Sequence, residues 1–400
     1  MTVRLIPLAS DISNKSDVTK VTETVKNTLG GVQTEFSDPV TDEQEAARAA
    51  EGRHAIALMV TGGTEHLARA AFKSSQSLLL LYHDSLNSLP AALEAASLLS
   101  VPVARFDDVK QIRAYISASN AHEKIAKSKF LYFGEPSPWL IYSKPSDADL
   151  ERIGLKVKRV KMEEFTKRVK EEKVNERELR KAVQAAEALG PSQDDFVTSL
   201  KIESAIREEL KEHNSSIFSI RCFDLLGPLK GTACLALSRL NDEGYTAGCE
   251  GDAPAAISMN LLSSLSGRPS FMGNIARVEG KNVTVAHCTS PTSILSGFKY
   301  MTHFESGMGV GIRGSFEEGT AVTVLRMSGD LKVIRYGTAK VVGSEWRSDL
   351  CRTQVTLSFE GDPSLIIRNP IGNHYSLTPG NYSQEIGFLS GMLGAKLERI

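Results

Sequence analysis

Over the first hundred-odd residues, short near-continuous apolar runs alternate with segments of helical spacing. The runs are VRLIPLA, HAIALMVTGG, QSLLLLYHD and VPVARF, and amphipathic stretches such as EHLARAAFKSS lie between them. Apolar runs of this kind suit strands covered on both faces, so the pattern predicts βαβ units on a parallel sheet. From about Ser128 it restarts with KFLYFGEPSPWLIY, a strand leading into Gly134, Glu135, Pro136 and Trp139. A charged stretch between Phe165 and Leu189 reads as a helix with a solvated face. SIFSIRCF and YTAGC, each followed by a helix, complete a second α/β layer. Beyond about Leu265 the period shortens to alternation between glycine turns, in KNVTVAHC, GVGIRGSF, AVTVLRM, KVIRYGTAKVV and CRTQVTLSF. That texture predicts a β-rich, barrel-like domain, and the terminal QEIGFLSGMLGAKLE predicts a helix packed on it. The expected class is α/β: two Rossmann-like parallel-sheet α/β domains, 1–127 and 128–265, followed by a β-rich barrel-like C-terminal domain, 266–400.

A chain of 400 residues with 41% hydrophobic content has material for two or three cores. Its 47 Lys+Arg against 48 Asp+Glu leave a net charge of -1, so no global basic field exists to hold nucleic acid or an anionic membrane. No cationic apolar leader and no spanning apolar run is readable, which predicts a cytoplasmic protein. The expected partners are small molecules and further copies of the chain. Five cysteines, scattered and without a CxxC pair, argue against a disulfide framework or a structural zinc site.

The segment from Tyr245 to Cys288 carries the first candidate chemistry. Its strand delivers Glu250 and Asp252 at the carboxyl end, where open α/β sheets bind ligands, and Pro254 suits the first turn of the following helix. Asp252 reads equally well as a helix N-cap, whereas Glu250 has no such structural role. Gly62 and Gly63 follow a strand and precede a helix; without a dinucleotide fingerprint they read as a tight turn before a ligand loop. His374 lies in NPIGNHYSLTPGN, where flanking glycine and proline suggest a shaped loop. His303 stands two residues before Glu305 in THFESGMGVGIRG, on one face if the segment is extended, and His287 ends a strand. Taken singly each histidine reads as a structural hydrogen-bonding group; together with Glu250 they point to a site. Carboxylate, amide and imidazole donors form a hard mixed set that suits Mn²⁺ or a neighbouring divalent ion.

The motifs CEGDAPAAISMNLLSSLSGRPSFMGN, VAHCTSPTS, THFESGMGVGIRG and GNHYSLTPGN carry a resemblance. Through them the chain resembles the L-fucose/L-arabinose isomerase family, in particular its shorter fucose-isomerase-like members. The match is best over the second and third domains, and the N-terminal third matches only in being Rossmann-like. The resemblance implies trimers or hexamers with sites near subunit boundaries, and a Mn²⁺-type ion held by acidic residues and one histidine. By motif position Glu250 matches an acidic ligand that doubles as acid/base, and His374 matches the C-terminal histidine ligand. Asn274, in FMGN, stands where the family carries a second acidic ligand and proton-transfer group. The implied reaction is aldose–ketose isomerisation through an enediol. An amide can offer its carbonyl to a cation but cannot shuttle protons, so Asp252 or Glu305 would take the second role. Trp139 is a candidate for stacking on an apolar sugar face, with a packed corner as its structural alternative. Arg221, Asp224, Arg313, Arg352, Gln354 and Asn373 are candidate contacts to sugar hydroxyls. The arginines also open a reading in which the scaffold runs another enediolate reaction, such as aldol cleavage, epimerisation or transfer, on an anionic sugar derivative. Asn274 opens a third, a non-catalytic sugar-binding protein.

Overall fold

The computed structural model describes residues 3–400, which divide into two compact units. The first comprises the chain up to Glu123 together with Gln384–Met392. Its strands β1 (Val3–Leu8), β2 (Thr34–Phe36), β3 (His54–Met59), β4 (Ser77–Tyr82) and β5 (Val103–Arg105) form a parallel sheet of order β2-β1-β3-β4-β5. β3 is buried at every position, as the unbroken run HAIALM requires. Gly62 and Gly63 lie beyond β3 and, with Ser10, Asn14 and Asn87, line a cavity of about 550 Å³ at the carboxyl ends of the strands.

The second unit, Lys124–Ser383 with Leu393–Ile400, holds both the second parallel sheet and the barrel. β6 (Lys129–Phe133), β7 (Lys156–Val160), β9 (Ile217–Ile220) and β10 (Thr246–Cys249) form the parallel sheet of order β10-β9-β6-β7. Between β7 and β9 the charged stretch is broken rather than continuous. A helix Met162–Glu171 ends, Asn175 caps a second helix Glu176–Gln184 through the Arg177 N–H, and β8 (Ala188–Leu189) follows. The helix Ala253–Ser266 leaves the end of β10 and is buried along most of its length, because it packs on the sheet and against strands of the barrel.

The barrel is a closed antiparallel cylinder of six strands. β11 (Phe271–Glu279), β12 (Asn282–His287), β15 (Ala321–Met327), β16 (Val333–Gly343), β17 (Thr353–Phe359) and β18 (His374–Pro379) pair in the order β15-β18-β11-β12-β17-β16, and β15 pairs with β16 to close the ring. Phe271, Val283, Val324, Leu357, Tyr375 and Leu377 fill its interior. Met272, one residue out of phase with Phe271, instead joins the core of the parallel-sheet layer. The segment GVGIRGSF is not a barrel strand: β14 (Gly311–Ser315) pairs with β13 (Gly297–Met301), and β13 with β8, in a separate three-stranded sheet.

The chain does not end in a helix packed on the barrel. Its last helix, Ser383–Met392, places Phe388 and Met392 against the Val3, Leu5 and Tyr115 core of the first unit. Gly394, at φ +60°, follows its end, and β19 (Lys396–Arg399) then runs parallel to β16. Among the described residues no helix is long and apolar enough to cross a membrane.

Candidate functional site

The site forms where the carboxyl ends of β6, β9 and β10 meet the outer wall of the barrel. Glu250 follows β10 with a left-handed backbone, φ +61°, and Gly251 continues it at +71°. For a residue with a Cβ this conformation costs roughly 1–2 kcal/mol. The turn is tied down by three backbone bonds: Ser137 N–H to Glu250 O (2.9 Å), Gly251 N–H to Ile220 O (3.2 Å) and Asp252 N–H to Cys249 O (3.1 Å). A Cβ on Gly251 would stand 2.7 Å from Pro136 Cα, so the 134–139 loop approaches as closely as glycine allows. Strain of this order at a non-glycine residue marks a side chain that the surroundings aim.

The Glu250 carboxylate points into a cluster of rings. Trp139 Nε1–H donates to Oε2 at 2.7 Å, while Oε1 lies 3.5 Å from His374 Nε2 and 3.9 Å from His287 Nε2. The donor atoms of Glu250, His287 and His374 all fall within 4.8 Å of one another. Burial pushes the Glu250 carboxyl up, but the two imidazoles outweigh it and hold the group well below the usual carboxylate range. Burial pulls His374 down, but Glu250 and Asp252 prevail and lift it to about 9. His287, with burial against it and a second imidazole beside it, is lowered.

Asp252 is fully enclosed and its oxygens are all engaged. Oδ1 caps the helix through Ala255 N–H (2.8 Å), Arg326 Nη1 bonds Oδ1 and Oδ2 at 2.9 and 3.1 Å, and His374 Nδ1 donates to Oδ2 at 3.0 Å. The geometry shows the helix cap, and the bonds to Arg326 and His374 give the residue a positioning role. Fixing the proton on Nδ1 leaves Nε2 of His374 facing Glu250, and among the described residues that buried nitrogen has no hydrogen-bond partner. Arg326 also bonds Ser143 Oγ (2.6 Å) and Ile371 O (3.2 Å), and its guanidinium occupies the space a side chain at Gly372 (φ +123°) would need.

A divalent cation fits these residues. One carboxylate and two imidazoles converge, the orphaned Nε2 requires a partner, and the other nitrogen of each ring is fixed, His374 by Asp252 and His287 by Thr289 Oγ1 at 2.9 Å. Asn274 stands opposite His374 in the β11–β18 register, and its Oδ1 accepts from Asn373 Nδ2 at 2.8 Å. The third donor that faces Glu250 is therefore His287. The only sequence signal for this was an imidazole at the end of an alternating strand.

The remaining candidates divide. Trp139 meets Phe223 edge-on at 5.0 Å and Phe223 meets His303 at 5.5 Å, so three rings form a wall running away from Glu250. His303 and Glu305 are not on an extended strand. They sit in a turn closed by His303 N–H to Met308 O and Gly307 N–H to His303 O, yet their side chains still meet at 3.5 Å. Burial, then the charge of Glu250, raises the Glu305 carboxyl. Burial, His287 and Arg352 together lower His303 to about 4. Arg221 pairs with Asp224 at 3.0 Å, and Arg313 lies over the Trp346 ring at 4.4 Å. Gln354 bonds the backbone of Arg347 and Cys351, away from this cluster of rings. His374 is not on a loop but opens β18, fully buried. Arg326, inside the apolar strand AVTVLRM, is not among the sequence candidates, although a charge in such a run signals a buried partner.

Comparison with known proteins bears on the same region. Residues 148–267 match the model of the L-arabinose isomerase central domain. A sulfoquinovose isomerase of Alkalicoccus urumqiensis is 32% identical over 164 residues, 39% of this chain and 37% of that protein. A sulfoquinovose isomerase of Clostridium sp. (strain MSTE9) is 22% identical over 315 residues, 72% of this chain and 68% of that protein. The chain thus spans little more than a third of the first relative and about two thirds of the second. These matches are similarities to the L-arabinose isomerase central domain and to sulfoquinovose isomerases, and the domain match includes the strand, turn and helix that carry Glu250 and Asp252.

Proposed function

We propose that the protein is a metal-dependent aldose–ketose isomerase, with Mn²⁺ as the preferred ion, and that a sulfonated or otherwise anionic aldose is its substrate. The observation that carries this reading is the buried His374 Nε2, which has no hydrogen bond among the described residues and faces the Glu250 carboxylate and His287. Glu250, His287 and His374 would hold the ion, which would supply polarisation of the sugar carbonyl and charge stabilisation for the enediolate. The names of the two relatives support the anionic substrate. Assembly into trimers or hexamers belongs to the same reading.

Glu250 takes the proton from C2 of the open-chain sugar and returns it to C1. Its depressed pKa keeps it ionised at neutral pH and makes it a weak base, so the transfer depends on acidifying the C2–H bond. Trp139 holds the carboxylate by Oε2, which leaves Oε1 on the side of His374 and His287. The proton exchanged between the two sugar oxygens needs another carrier. Asp252 is enclosed and engaged, so Glu305, with its raised pKa and its contact to His303, takes that role. The Trp139–Phe223–His303 wall supplies the flat apolar face beside the sugar.

The test combines metal analysis of the purified protein with turnover of sulfoquinovose, glucose and other neutral aldoses in heavy water. Expected are a stoichiometric divalent ion, chelator-sensitive interconversion, and deuterium entering the sugar at the carbon that receives the proton. Glu250→Gln should lower kcat by roughly a hundredfold to ten-thousandfold, the range of a positioned acid/base group. Turnover that survives Glu250→Gln, or exhaustive removal of metal, overturns the reading.

A further inference from the structure

Arg352 immediately precedes β17 and, unlike Arg221 and Arg326, makes no ion pair among the described residues. Its Nε–H donates to Thr302 O at 2.8 Å, and its guanidinium carbon lies 5.6 Å from the centre of the Phe304 ring. Both partners flank His303, the last ring of the wall that begins at Trp139 and Glu250. Arg326 spends its charge on Asp252 and Arg221 on Asp224. Glu305 turns to His303 instead. Among the described residues no carboxylate lies within ion-pair distance of Arg352, so its outer nitrogens are left to other acceptors. A half-buried guanidinium without a counter-charge is a costly arrangement for stability alone.

A neighbouring strand adds to the positive field. The Cβ position of Gly311 on β14 lies 3.7 Å from Arg352 Cγ, and Arg313, two residues further along, is on the same strand face. Arg313 is stacked on Trp346 and likewise has no carboxylate partner among the described residues. The adjoining imidazole, His303, is neutral at ordinary pH and can donate one hydrogen bond without adding charge.

We infer that Arg352 receives the oxyanion of the substrate, a sulfonate or a group of the same shape, at the end of the sugar remote from the carbons that exchange the proton. A planar fork of N–H donors matches the oxygens of such a group and rejects a hydroxyl, which offers neither the charge nor the second acceptor. Arg352 is thus the residue that selects an anionic over a neutral aldose. The inference rests on the isomerase reading for where the sugar's reacting edge lies.

The test uses the full, Mn²⁺-loaded chain with Arg352→Gln and Arg352→Lys, and compares sulfoquinovose with glucose. For Arg352→Gln the ratio of kcat/KM between the sulfonated and the neutral sugar should fall about ten- to a hundredfold, mostly in KM, as expected for the loss of a charge-assisted contact. Arg352→Lys should recover part of the ratio. A purely structural role for the Thr302 contact would lower both sugars together, and an unchanged ratio in both variants overturns the inference. Calorimetric binding of sulfoquinovose separates the two readings. Arg352-dependent binding without turnover sinks the isomerase reading and keeps the anchor. Turnover of both sugars with no dependence on Arg352 does the reverse.

Discussion

Four side chains form a line of alternating charge through the interior: Arg326, Asp252, His374 and Glu250. Arg326, Asp252 and His374 are shut off from solvent, and Glu250 is 9% exposed. Asp252 could not remain ionised there without Arg326, and removing one partner of such a pair typically costs about 3–5 kcal/mol. What the line delivers is the orientation of one nitrogen, His374 Nε2. In the metal-free protein that nitrogen competes for a proton, because the folded pKa, about 9, lies above the ordinary 6.5. The stabilisation from the charged imidazole is therefore complete below pH 6.5 and is lost as pH rises through about 9. The depressed Glu250 works in the opposite sense: its contribution is present above its ordinary 4.5 and is lost as pH falls through its lowered value. A cation must displace the His374 proton, so apparent Mn²⁺ affinity should climb by about tenfold per pH unit until about pH 9. Calorimetry in buffers of different protonation heat should then count about one proton released at pH 7. An affinity flat between pH 6 and 8 would remove His374 from the ligand set.

At the level of elements, the strand, turn and helix around residues 246–266 were legible because small residues and Pro254 mark the turn and two carboxylates fall at a strand end. The left-handed pair Glu250–Gly251 was not, since it is imposed by what the turn bonds to: Ser137 and Ile220 lie far away in sequence. The sequence pattern suggests a loop at His374 because Gly372 and Pro379 bracket it. In fact HYSLT alternates, with Tyr375 and Leu377 inside the barrel and Ser376 bonded outward to Ala255 O. The glycine serves Arg326 rather than a loop. The closeness of the turn to the 134–139 loop makes a prediction at this scale. Gly251→Ala must hold a Cβ at φ +71° and 2.7 Å from Pro136 Cα, so it should lose about 2–4 kcal/mol from backbone strain and overpacking together. Because Pro136 and Trp139 share one loop, the indole bond to Glu250 should loosen as well, and Trp emission should shift along with the melting temperature. A variant with wild-type melting and wild-type emission would show that the loop simply yields.

For the whole molecule, the order of layers follows from period: unbroken apolar runs for parallel strands covered on both sides, alternation for barrel strands with one face inward. The insertion of β18 between β15 and β11, which the ring requires, leaves no local mark, because pairing partners so distant in sequence are chosen by burial of the whole sheet. The same holds for Gln384–Met392. Its apolar spacing predicts a helix with a buried face but not which core receives that face, and the core is that of the first unit, formed some three hundred residues earlier in the chain. Phe388 meets Tyr115 edge-on at 5.4 Å and packs with Val3, Leu5 and Ile112. Since it is only partly buried, Phe388→Ala should cost about 2–3 kcal/mol, below the usual range for a core phenylalanine. The loss falls on the first unit, whereas both tryptophans, Trp139 and Trp346, report on the second. In thermal or urea unfolding of Phe388→Ala, the early part of the far-ultraviolet dichroism transition should move to milder conditions while the tryptophan transition stays near its wild-type midpoint. Equal displacement of both signals would mean that the two units unfold as one cooperative body, and that the returning helix couples them rather than completing the first.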